Sequence, residues 1–316
     1  MTGGPGRDAA VPSAEFRSYY GRPVIKAPVW KQDIAAYLFT GGLAAGSSLL
    51  AAGADATGRA GLRRSGRLTS AAAVAASTCF LVHDLGRPSR FANMLRVFKP
   101  TSPMSMGSWI LAAFGPASGL AAASELAASR PGPSRRLAPG VGRGSGCLAA
   151  GLAPLLATYT AVLLADTAVP AWHEARPYLP FVFAGSALAS GGAAGLALAP
   201  VAETGPARRM AVTGAVLELA ATGALERRLG LQSEAYRAPG PRRLLRAARF
   251  LTAAGSVAAV LGRRRRVLGA LAGAALLAGS ACTRFGVYRA GVVSAEDPRY
   301  TVVPQRRRLS GAGVDG

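Results

Sequence analysis

The sequence is poor in the residues that usually carry chemistry. It has two histidines, His83 and His173, and three cysteines, Cys79, Cys147 and Cys282, in 316 residues. Each cysteine stands alone in a different apolar stretch and no CxxC occurs. That argues against a zinc site or iron–sulfur cluster built by this chain, and against a disulfide framework. A lone cysteine in apolar sequence reads as a small buried residue. Acids are scarce, 15 against 37 Lys and Arg, giving a formal net charge of +22. No nucleophile–base motif or glycine-rich phosphate loop is present. No hydrophobic region precedes Trp30, so a cleavable signal peptide is not expected.

Apolar sequence is what the chain has in quantity. Half of the residues are hydrophobic and the mean hydropathy is +0.27. These residues fall in blocks of about 20, the length a helix needs to cross a bilayer. The 40 glycines and 21 prolines are better tolerated in membrane helices than in soluble ones. The arginines cluster between the blocks, in "GRAGLRRSGR", "SRPGPSRRLAPGVGRG" and "GRRRRV". Basic loops flanking apolar helices read as topology determinants and lipid-headgroup contacts, and nucleic-acid binding is not expected.

The pattern predicts an all-α, polytopic membrane protein with eight transmembrane helices, arranged as two four-helix bundles. The spans fall at 33–54, 66–85, 103–127, 146–169, 178–200, 209–226, 244–262 and 267–288. Glu218 interrupts the sixth; the seventh is short and flanked by arginine. "GGLAAGSS" and "GSALASGGAAGLALA" offer small-residue faces for close helix packing. The chain thus divides into an N-terminal extramembrane segment (1–32), the membrane domain (33–288) and a C-terminal tail (289–316).

Eight spans put both termini on one side of the bilayer, here called side X, with side Y opposite. Side X holds both histidines and the acids Asp33, Asp84, Asp166 and Glu174, whereas side Y is little more than arginine, glycine and proline. A binding site is therefore expected at the X ends of the helices. Side X has the larger number of basic residues, but side Y concentrates its charge in the short loops where the positive-inside rule works. On that ground the loops after helices 1, 3, 5 and 7 are read as cytoplasmic.

Asp33 and Tyr37 are spaced i, i+4 and share one face of the first span. A carboxylate at a bilayer boundary is a functional candidate by default, although an interfacial Asp beside an aromatic-belt Tyr is the plainer reading. Tyr159 lies within the fourth span, and its hydroxyl wants either a neighbouring helix or a ligand as partner. Between the second and third spans runs "HDLGRPSRFANMLRVFKPTSPMSMGSW". In it Asp84 can pair with Arg87 or Arg90, and Ser102-Pro103 makes a good helix start. His83 and His173 could in principle face each other across a haem, but His173 sits in loop-like sequence, which argues against rigid ligation. Glu218 and Arg284, both intramembrane, could belong to a proton route or pair with one another.

"YYGRPVIKAPVW", "YLFTGGLAAGS", "DLGRPSRFANMLRVFKPTSPMSMGSWIL" and "YTAVLLADTAVPAW" together resemble the NrfD/PsrC family, the membrane subunits of complex iron–sulfur molybdoenzymes such as polysulfide reductase. The resemblance runs from about Tyr19 to Tyr288 and is most specific in the first four spans. It implies a subunit with no haem or iron–sulfur cluster of its own, binding menaquinone or another quinone near one membrane face. It also implies a ferredoxin-like four-cluster iron–sulfur partner and a molybdopterin catalytic subunit of polysulfide, nitrite or formate type. The family's quinone positions fall on Asp33, Tyr37 and Tyr159, with His83 close by. Tyr37 stands where some relatives carry a histidine. Asp84, Arg87, Pro88, Arg90 and Arg96 would form the site rim and the docking platform for the partner. Asp33 is the expected proton acceptor, since quinol oxidation releases protons.

Two other classes remain in view. A secondary transporter or proton-translocating protein would suit Glu218 and Arg284, but the matched pair of broken helices expected of one is not evident. A structural anchor without quinone chemistry would bind the same partners and no ligand.

Overall fold

The computed structural model describes residues 24–26, 28, 30–87, 89–129, 131 and 134–312, apart from the side chains of 134, 135 and 307–312. Among them the chain is helical throughout, without strands. The helices are α1 (Gln32–Ala56), α2 (Ala60–Asp84), α3 (Ser89–Met94), α4 (Pro103–Ala128), α5 (Ser134–Ala165), α6 (Pro170–Glu174), α7 (Leu179–Leu198), α8 (Gly205–Arg228), α9 (Ser233–Arg237), α10 (Pro239–Leu261), α11 (Arg266–Glu296) and α12 (Arg299–Ala312).

Seven of them, α1, α2, α4, α5, α7, α10 and α11, are long and apolar enough to cross a membrane. α8, at the sixth expected span, is long enough but falls outside that set. Arg208, Arg209, Glu218, Glu226, Arg227 and Arg228 all lie within its 24 residues. Several helices outrun their apolar middles. α2 begins at Ala60 rather than 66, α5 at Ser134 rather than 146, and α11 continues to Glu296. Hydropathy records only the part of a helix that matches the hydrocarbon, whereas backbone hydrogen bonding continues into the headgroup layer. The glycine- and proline-rich start of α5 reads as loop in sequence yet is helical, with Pro139 and Pro154 inside the helix.

Consecutive long helices pack as hairpins: α1 with α2, α4 with α5, α7 with α8 and α10 with α11. α1 also packs on α5 and α7, and α7 on α11. The α1–α7 crossing depends on glycine. A Cβ on Gly46 would lie 2.0 Å from the Ala187 carbonyl oxygen, and one on Gly191 would lie 2.2 Å from the carbonyl carbon of Gly46. The two backbones therefore touch, as small-residue interfaces permit. Large apolar side chains remain on the outside, among them Leu137, Leu148, Leu155, Phe250 and Leu261. In water such a surface would be a liability; in a bilayer it is the lipid contact. The cysteines depart from the expected burial. Cys79 and Cys147 are exposed and Cys282 is half-buried, because each falls on a flank its helix turns outward.

The two ends of the molecule are tied differently. At the Y end, Arg67 of α2 reaches Glu125 (2.8 Å) and Asp55 (3.2 Å), while Arg63 binds the same two carboxylates at 2.6 and 3.3 Å. At the X end, aromatic residues do the joining. Trp172 of α6 is buried, stacks on Trp30 at 5.9 Å, and donates from Nε1 to the Val287 carbonyl at 2.8 Å. The Tyr288 hydroxyl donates to the Trp30 carbonyl.

Candidate functional site

A cleft of about 170 Å³ opens at the X end, where α1, α2, α3, α4 and α5 converge. Its walls are mainly apolar, from Trp30, Ile34, Leu81, Met94, Met104 and Leu163. Four polar residues expected from the sequence also line it: Tyr37, Asp84, Arg90 and Tyr159. Tyr37 and Tyr159 are only 4% and 8% exposed. The Tyr159 hydroxyl is fully buried and has no hydrogen-bond partner among the described residues. The neighbouring-helix bond weighed for it is therefore not made. A buried donor left unsatisfied costs roughly 1–3 kcal/mol.

Gly107 makes room for that ring. A Cβ there would sit 2.1 Å from Tyr159 Cε2, so any other residue would displace the tyrosine. Sequence reasoning missed Gly107. The only trace is a glycine in the first turns of a helix that opens with Pro103.

Asp84 ends α2 and accepts the Lys31 backbone N–H at 3.0 Å. That bond pins the start of α1 to the end of α2, and it replaces the expected pairing with Arg87 or Arg90. Arg90 instead donates to the Leu85 carbonyl at 3.3 Å. The connection is partly ordered by α3 and by Ser105, whose Oγ accepts the Lys99 N–H and donates to the Val97 carbonyl. Arg87 and Arg96 are exposed and do not line the cleft; Pro88 lies outside the described residues.

Asp33 and His83 do not line the cleft either. They form a pair one turn of α1 towards the X surface, with His83 Nδ1 3.1 Å from Asp33 Oδ2. The Asp33 side chain is 23% exposed and that of His83 72%. His173 belongs to the short helix α6 rather than to a loop, and its Nδ1 lies 3.0 Å from the Ala165 carbonyl. That bond requires the proton on Nδ1. Among the described residues no group of three or more His, Cys, Asp or Glu gathers as a metal site would need.

Glu218 and Arg284 lie deeper, 2% and 1% exposed. They do not form a direct ion pair. Glu218 accepts a hydrogen bond from Thr283. Arg284 donates to the Phe183 carbonyl at 2.8 Å and lies over the Phe183 ring. Its guanidinium reaches α1, where a Cβ on Gly42 would be 2.9 Å from Nη2. Glu218 Oε2 and Arg284 Nε and Nη1 are buried without hydrogen-bond partners among the described residues.

The family model described as polysulphide reductase, NrfD, matches residues 24–222. No curated protein matches the chain. The matched stretch is well over half of the 316 residues, runs from before α1 into α8, and contains every residue that lines the cleft. NrfD proteins are membrane subunits that partner an iron–sulfur subunit of molybdoenzymes and interact with quinones. With this match and its apolar helices, the chain belongs to the NrfD family and is a membrane subunit of an oxidoreductase complex.

Proposed function

We propose that this chain is the quinone-reactive membrane anchor of a molybdopterin oxidoreductase, and that the X-end cleft receives the head group of menaquinone or a related quinone. The observation that carries this reading is the buried Tyr159 hydroxyl, without a hydrogen-bond partner among the described residues, in a mainly apolar cleft. A quinone ring needs an apolar slot and a few donors for its carbonyls. The wall residues, the Tyr159 hydroxyl and the room left by Gly107 fit that requirement.

A bound quinone supplies two-electron, two-proton redox chemistry. The protein's part is to hold it, dry it and handle protons. Tyr159 donates a hydrogen bond to a carbonyl oxygen, and Tyr37 bounds the slot from α1. Asp33 lies four residues from Tyr37, about 6 Å along the helix. Its carboxylate, one turn beyond the cleft wall, relays a proton that leaves the cleft to His83, whose exposed ring meets water. Asp84, at the cleft wall, is the alternative acceptor. Arg87, Arg90 and Arg96, with Pro88 between them in sequence, form the rim on which a ferredoxin-like four-cluster subunit docks by charge complementarity. That subunit in turn connects to a molybdopterin catalytic subunit.

In this reading α8 also crosses the membrane, giving eight spans. The contacts of α2 with α4 and of α8 with α10 support two four-helix bundles, α1–α2–α4–α5 and α7–α8–α10–α11. The Y loops are cytoplasmic and the cleft faces the opposite side. The 1–32 segment lies largely outside the described residues.

The test is quinol-linked turnover of the assembled complex. Asp33→Asn and Tyr159→Phe should both lower it while the complex purifies intact. Wild-type electron transfer in both would overturn the site.

A second reading adds a proton route through Glu218 and Arg284. Their unpartnered buried atoms call for internal water. Arg284 meets α1 at Gly42, five residues and about 7.5 Å beyond Tyr37. Glu218→Gln should then abolish proton movement by the reconstituted complex and spare quinone binding. Unchanged proton movement would remove this reading.

A further inference from the structure

A second cavity, of about 320 Å³, lies at the X end away from the cleft, between the last turn of α8, α9 and the first turns of α10. Arg237, Arg242, Arg246 and Arg249 line it, with Glu226 as the one lining carboxylate. Glu226 is already paired to Arg249. The other three guanidiniums have no ion-pair partner among the described residues. Tyr236 does not add negative charge, because burial raises its phenol above the usual range and its hydroxyl donates to the Ala171 carbonyl at 3.0 Å. Among the described residues the cavity is thus lined by three guanidiniums without a paired carboxylate, and the planar fork of donors on each suits phosphate oxygens.

The position of these arginines identifies the source of the phosphate. Arg242, Arg246 and Arg249 follow i, i+4, i+7 spacing on one face of α10. Continuing along the same helix, that flank and the outward surface beside it become apolar: Val260 is 48% exposed, and next to it Phe250 is 72%, Val257 58% and Leu261 78%. One stripe thus runs from guanidiniums at headgroup level to hydrocarbon contacts below, the profile of a diacyl phospholipid. A zwitterionic headgroup would bring its own cation into an already cationic cavity; an anionic one would not. We propose that this cavity binds the phosphate of an anionic phospholipid whose chains lie along Phe250, Val257 and Leu261.

The full chain, purified and reconstituted in phosphatidylcholine nanodiscs, would be titrated with phosphatidylglycerol and its bound lipid measured by native mass spectrometry. The expected result is saturable binding that weakens about 30-fold in Arg242→Gln/Arg246→Gln, given about 1 kcal/mol per interfacial arginine. Arg242→Lys/Arg246→Lys, which keeps the charge, should stay within a few-fold of wild type and guards against misfolding of the glutamine variant. Arg264→Gln/Arg265→Gln removes the same charge from the α10–α11 loop and should change nothing. Equal weakening in that control would reduce the effect to net charge and overturn the proposal. So would displacement of the lipid by excess inorganic phosphate, which would assign the cavity to a free anion. Unchanged lipid binding in the glutamine variant with weakened association of the iron–sulfur subunit would give the surface to a protein instead.

Discussion

Tyr159 and Gly107 are two halves of one feature, a phenol held against a helix that has no side chain at the contact point. Removing the hydroxyl breaks no hydrogen bond to the described residues. Tyr159→Phe should therefore leave the melting temperature unchanged or slightly raised, while quinone affinity falls roughly fivefold, the worth of one neutral hydrogen bond of about 1 kcal/mol. Thermal unfolding beside a quinone titration separates the two, and a loss of stability would point to a structural bond. Gly107→Ala acts in the opposite way. Its methyl would overlap the ring at 2.1 Å, so a stability loss of about 1–3 kcal/mol, typical of overpacking, is expected together with weaker binding. The sequence offered Tyr159 as a candidate because it is a tyrosine within a span. It could not offer Gly107, because the glycine matters only through a ring some fifty residues along the chain.

At the scale of elements, the long helices were legible and their ends were not. Apolar runs locate a membrane helix, but its polar extension is fixed by partners in space. The first turns of α2 illustrate this. Arg63 and Arg67 look like loop charge in "GRAGLRRSGR", yet they are helical and bind Asp55 of α1 and Glu125 of α4. The Arg67 and Glu125 side chains are each only 7% exposed. Removing one partner of such a pair strands a buried charge, so Glu125→Ala should lower stability by about 3–5 kcal/mol. Adding Arg67→Met to Glu125→Ala should recover much of the loss, because the uncompensated charge goes with it. Detergent-solubilised protein followed by thermal unfolding checks both. A mild effect of Glu125→Ala would mean that Asp55 alone satisfies Arg67.

For the whole molecule, the separation of chemistry between the two ends follows from where each loop emerges. The Y end is closed by ion pairs and the X end by the cluster of Trp30, Trp172 and Tyr288, of which Trp30 also lines the cleft. Sidedness can be tested with the exposed positions Thr57, at the Y end, and Arg96, at the X end. In spheroplasts, Arg96→Cys should react with a membrane-impermeant maleimide, and Thr57→Cys should react only after permeabilisation. The native cysteines lie within membrane-spanning helices, where a polar reagent is kept away by lipid. The reverse labelling pattern would turn the subunit over and place the cleft on the cytoplasmic side.

Composition and hydrophobic periodicity were enough to establish a helical membrane protein with its unusual residues at one end, because burial in hydrocarbon selects apolar residues locally, stretch by stretch. Side-chain chemistry left Tyr37 and Tyr159 open between structural and ligand roles, and it was the resemblance to the NrfD family that put them forward, with Asp84 and Arg90, as site residues. That these four share one cleft, while Asp33 turns away to His83 and Glu218 binds Thr283 rather than Arg284, depended on how helices distant in sequence cross. Those crossings are set by backbone contacts such as Gly46 on Gly191, which no single stretch of sequence contains.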